Sequence, residues 1–182
     1  MFPPIPSWDG LHPLIIHFPI ALLLVAPILV LLGLISPNRG RAFLGAALIL
    51  MVLGTVASWI AVSTGEAAGE MAERASGAGA VLEQHEELAE TTRTAFTILT
   101  GLFIAILFAP AIFRRQLSQK VLLPVNILFL LLYGSGVVFL VNTAHQGGRL
   151  VHEFGVRAMI APTNQTTSER TPGRSHSDDD ED

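Results

Sequence analysis

Imidazole is the side chain that ligates haem iron or a metal ion where thiolate is absent, and this chain has six histidines and no cysteine. The missing cysteine rules out disulfides, thiolate metal sites, iron–sulfur clusters and covalently attached c-type haem. His12, His17, His85, His145 and His152 are the candidate ligands; His176 stands in a polar stretch and reads as solvated. Two rings from facing helices, level with each other and with nitrogens about 4 Å apart, would hold b-type haem. His12, His17, His85 and His145, helped by Glu66, Glu70, Glu86 or Glu153, would instead hold a copper, zinc or iron ion. Hydrogen bonding at a membrane interface, in a protein that carries no cofactor, is the third reading. Gln84-His85-Glu86-Glu87 lacks the His-Glu-x-x-His spacing of a zinc protease. No nucleophile triad, phosphate loop or nucleotide fingerprint is present, so neither hydrolysis nor a nucleic-acid partner is expected.

The elements that position these rings are membrane spans. Leu11 to Ile35 contains no Asp, Glu, Lys or Arg, which is long enough to cross a hydrocarbon layer of about 30 Å as a helix. Hydrophobic residues make up 51% of the 182-residue chain and charged ones 14%, a balance no soluble core accommodates. Four spans are expected, at about residues 12–35, 42–64, 94–113 and 121–144, giving an all-α, four-helix membrane bundle over residues 1–160. Residues 161–182 read as a disordered, polar and acidic tail. The first ten residues hold Asp9 and neither Lys nor Arg, so the first span is expected to be retained rather than cleaved. Pro13 suits a first helical turn with His12 as its cap, and Pro19 should loosen the helix beside His17.

The short connections carry Arg39 and Arg41, then Arg114, Arg115 and Lys120, without an acid, which places them in the cytoplasm. Both termini and the acidic loop between Gly65 and Thr92, whose second half from Ala80 to Arg93 looks helical and runs directly into the third span, then face the periplasm. Five histidines collect at that outer end. Counting helix rise places His12 level with His145, His17 a turn deeper and His85 a turn higher. Gly147-Gly148 should break or sharply turn the chain and bring His152 back toward the other rings, with backbone open to a flat cofactor. Trp8 and Trp59 read as interface anchors, and Gly45, Gly54, Gly134 and Gly136 as helix-packing positions.

His12-Pro-x-x-x-His17-Phe-Pro-Ile-Ala-Leu22, Thr64-Gly-Glu-x-Ala68, the His85-Glu-Glu segment, and Gly147-Gly-x-Leu-Val with Gly155-Val156 together resemble the DUF2231 family of predicted bacterial membrane proteins. The resemblance covers about residues 10 to 158. Such domains occur alone or beside cytochrome c-like modules in envelope proteins, which implies an inner-membrane, electron-transfer setting. Family members carry a histidine two residues after an aromatic that follows Leu-Val; here His152 and Phe154 exchange those places. The resulting expectation is a haem b protein of the inner membrane, with His12, His17, His85, His145, His152, Gly147 and Gly148 about the cofactor. Its partner would be cytochrome c-like or quinone-linked. A metal-binding or sensing protein, and a structural subunit of an oligomer or larger complex, are the rival expectations.

Overall fold

The computed structural model describes residues 6–73, 77–112 and 119–156. The expected tail beyond residue 160, and Arg114 and Arg115, lie outside them. After a short turn of 3-10 helix at Asp9–Leu11, the chain forms α1 (His12–Ile15), α2 (His17–Ile35), α3 (Gly40–Ala72), α4 (Gly79–Ile112) and α5 (Gln119–His152). Four helical segments are long and apolar enough to cross a membrane, and no strand occurs among the described residues. Phe18, Leu31, Ile98 and Leu131 point outward with half or more of their surface exposed. Only lipid covers apolar surface so disposed at no cost.

The chain folds as two antiparallel hairpins, α1/α2 with α3 and α4 with α5, joined mainly through α3 against α4. Leu23, Ala26, Val30, Met51, Phe96, Phe103, Phe129 and Tyr133 form the shared core. Phe103 stacks on Phe129 with ring centres 4.9 Å apart, and Phe96 meets Tyr133 edge to face. The Tyr133, Thr55 and Thr100 hydroxyls in this core are paired, while Asn126 Oδ1 is buried without a partner. Pro27 has no N–H to offer the carbonyl four residues back, and the Tyr133 hydroxyl donates to that Leu23 oxygen at 2.8 Å. Thr55 and Thr100 share a 2.8 Å hydroxyl bond between α3 and α4.

Two local expectations are corrected. The second half of the acidic stretch is helical and continuous with the third span, as expected, but the first half is helix too: α3 runs on to Ala72 and α4 begins at Gly79, with Gly77 between them at φ 83°. Val81, Leu82, Ala72, Ala78 and Leu150 bury together there, and this small core holds the helix ends above the spans. Gly147-Gly148 does not break α5, which continues to His152. Contacts on both sides of the pair hold the helix: Gln146 donates to Gln84, and Arg149 bonds Gln146 and Glu153. The loosening expected beside His17 is present, at Ile16 between α1 and α2.

Candidate functional site

At the end of the bundle opposite the 36–39 turn, a cavity of about 730 Å³ is lined by α1 to α5. Its walls are mostly small: Ala61, Gly65, Gly69, Ala89, Ala144 and Gly147 leave room that larger side chains would fill. Two imidazoles, His12 and His85, stand in it with ring centres 6.4 Å apart and planes at 88°.

Each ring is held in the same way. His12 Nδ1 lies 2.9 Å from the Ala61 carbonyl and 3.3 Å from Thr64 Oγ1. His85 Nδ1 lies 3.0 Å from the Thr143 carbonyl. A carbonyl only accepts, so Nδ1 carries a proton in both rings, and in the neutral imidazole each Nε2 keeps its lone pair. The residue four positions after each accepting carbonyl is a glycine against which the ring rests. A Cβ on Gly65 would come within 2.9 Å of His12 Cε1, and one on Gly147 within 3.0 Å of His85 Cε1. Both notches therefore require glycine.

The matching extends along the hairpins. Eleven residues after His12, Leu23 packs on Gly54; eleven after His85, Phe96 packs near Gly136. Gly54 and Gly136 each precede their notch glycine by eleven residues. The two hairpins thus share one spacing of histidine, packing residue and glycines in the same direction, and each supplies one histidine to the cavity. The sequence shows only the weak trace of this, two hairpins with basic turns, because the ladder is carried by glycines that many helices contain.

Of the other expected residues, His152, Gly147 and Gly148 line the cavity. His17 and His145 are exposed and outside it. Helix rotation decides this: five residues beyond His12 and two beyond Thr143, they face away from the cavity wall. His12 meets His85, whose ring lies between residues 143 and 147 of α5, and its side chain reaches α3 instead of capping its own helix. Phe18 faces outward and Phe96 belongs to the core. Gly65, Ala61 and Thr143 are the contributors that motif reasoning missed; the Thr-Gly-Glu signal at Thr64 to Glu66 marks the first of them.

Glu66, Glu86 and Glu90 also border the cavity. No group of three or more His, Asp or Glu side chains arranged to hold a metal ion occurs among the described residues. The family model described as a predicted membrane protein (DUF2231) matches residues 9–159. No curated protein and no solved structure matches the chain.

Proposed function

The chain belongs to the DUF2231 family of predicted membrane proteins, and we propose that it binds haem b between His12 and His85 and relays electrons through it at the outer face of a bacterial inner membrane. The observation that carries this reading is the pair of equivalent imidazoles. Two metal–nitrogen bonds of about 2 Å, with roughly 1 Å from each Nε2 to its ring centre, put opposed imidazole centres about 6 Å apart; the observed separation is 6.4 Å. Each Nδ1–H donating to a carbonyl is the supporting contact that metal-ligating histidines use to fix ring orientation and raise basicity.

Donor count favours a macrocycle over a bare ion. Structural zinc takes four ligands and catalytic zinc three from the protein, whereas the two imidazoles here suffice only when a porphyrin supplies the equatorial four nitrogens. A cavity of about 730 Å³ falls within the usual range of cofactor sites, roughly 300–1,000 Å³. Bound there, haem supplies one-electron redox chemistry. His12 and His85 would be the residues that hold the group, one from each hairpin, which would leave the protein no further open site on the metal for a substrate. That favours electron transfer over catalysis at the iron.

Orientation rests on Arg39 and Arg41 at the opposite end of the bundle, which the positive-inside rule assigns to the cytoplasm. The haem end then faces the periplasm, beneath a crown of glutamates. Such a field favours encounter with a basic redox carrier, cytochrome c-like in charge, while a quinone-linked donor would reach the site from the lipid. Purified protein should show a Soret band that shifts and sharpens on reduction. His12→Ala and His85→Ala should each abolish the six-coordinate spectrum while membrane insertion persists, and His17→Ala and His145→Ala should leave it unchanged. Membrane-inserted wild-type protein without a Soret band after haem reconstitution would end the proposal.

A further inference from the structure

Arg93 lies on α4 two turns below His85, where the glutamate-rich part of the helix meets its apolar part. Its guanidinium carbon sits 4.4 Å from the centre of the Trp59 ring on α3. The indole is fixed from below: Trp59 Nε1 donates to Thr97 Oγ1 at 3.1 Å, and Thr97 donates to the Arg93 carbonyl at 2.7 Å. Arg93 is nonetheless short of partners. Its Nε is buried without a hydrogen bond, and the one ion pair among the described residues is Arg149 with Glu153. Around it, Val56, Ile60 and Ile98 present exposed apolar surface.

A cation in this position needs an anion, and the surrounding surface is of the kind that lipid tails cover. Guanidinium is suited to a phosphodiester, which it meets through paired N–H groups. The repeat supplies an independent contrast. The positions matching Arg93 and Trp59 in the other α–α face are Ile20 and Val141, both apolar. Packing alone therefore does not call for the pair. One of the two related faces has been given a charged, aromatic seat, and at about 1.5 Å per residue it stands roughly 28 Å along α4 from Ile112, about the thickness of a hydrocarbon layer.

We propose that Arg93 and Trp59 form a binding seat for the phosphate of one phospholipid in the leaflet at the histidine end, its acyl chains lying along Val56, Ile60 and Ile98. The guanidinium takes the phosphate, and the indole holds the guanidinium and the glycerol region at a fixed depth.

The test is native mass spectrometry and thermal unfolding of the full chain, purified in mild detergent, with phosphatidylglycerol, phosphatidylcholine or inorganic phosphate added. Wild-type protein should retain about one phospholipid, and either phospholipid should raise the unfolding temperature while inorganic phosphate does not. Arg93→Gln should lower phospholipid retention at least tenfold, Trp59→Leu should lower it several-fold, and Arg93→Lys should restore part of it. Arg93→Ile, matching Ile20, keeps the fold testable if Arg93→Gln is poorly folded, and should show the same loss. Equal retention by wild type and Arg93→Gln would overturn the proposal. So would stabilisation by inorganic phosphate alone. Loss of haem without loss of lipid in Arg93→Gln would also overturn it, by assigning the guanidinium to a haem carboxylate. The lipid readout does not depend on haem being present, so failure of the haem reading leaves this test intact.

Discussion

Replacing Gly65 or Gly147 by alanine separates ring seating from fold stability with opposite signs. Alanine in a helix interior is favoured over glycine by roughly 0.5–1 kcal/mol. The added Cβ would stand 2.9 Å from His12 Cε1 at position 65 and 3.0 Å from His85 Cε1 at position 147, whereas carbon contacts settle at about 3.5–4.0 Å. Each ring must therefore withdraw by roughly 0.5–1 Å, which lengthens or breaks the Nδ1 bond to Ala61 or Thr143 and costs about 0.5–1.5 kcal/mol. The two effects nearly cancel in the cofactor-free protein. Ligation has no such compensation, because losing the hydrogen bond that orients a ligating imidazole typically costs about ten- to a hundredfold in metal affinity. Haem titration followed at the Soret band should show affinity falling ten- to a hundredfold in Gly65→Ala and Gly147→Ala, with the cofactor-free unfolding temperature within a few degrees of wild type. Gly45→Ala and Gly101→Ala, whose Cβ positions meet nothing within 4 Å, should leave affinity unchanged. Full affinity and an unaltered spectrum in both notch variants would refute the seating argument.

Tyr133→Phe should cost about 1–3 kcal/mol in unfolding experiments, since the Leu23 carbonyl freed by Pro27 loses its donor in the core, while the haem spectrum persists. Thr55→Val should cost about 0.5–1.7 kcal/mol by the same assay, removing the hydroxyl link from α3 to α4. Ligation uses the unprotonated Nε2, so the bound state takes up fewer protons than the free one; cofactor-dependent stability is full at neutral pH and is lost as pH falls. Spectra followed from pH 8 down to about pH 4 should show reversible release on the acid side, and His17→Ala should not shift that transition. Release on raising the pH instead would contradict the neutral tautomers assigned to both rings.

Much of this architecture is written in local chemistry. Uncharged runs of span length leave helix as the backbone's way to satisfy its own hydrogen bonds in lipid, and short connections make consecutive spans antiparallel, which brings alternate ends together. From that alone, His12, His85 and His152 fall at one end of the bundle. Which rings meet is a different kind of question. It depends on helix rotation to within a fraction of a turn, and so His85 pairs with His12 while His17 and His145 turn outward.

The continuation of α5 through Gly147-Gly148 shows the same division. Local propensity argues for a break there, yet the ring of His85 occupies the space a Cβ would take, and the neighbouring polar contacts hold the helix. Sequence determined the spans, their direction and the end at which imidazoles gather, because these follow from hydrophobic length and charge placement. Only the tertiary structure decided the pair, its two glycine notches and the repeat that relates them, because those are distances between residues far apart in the chain.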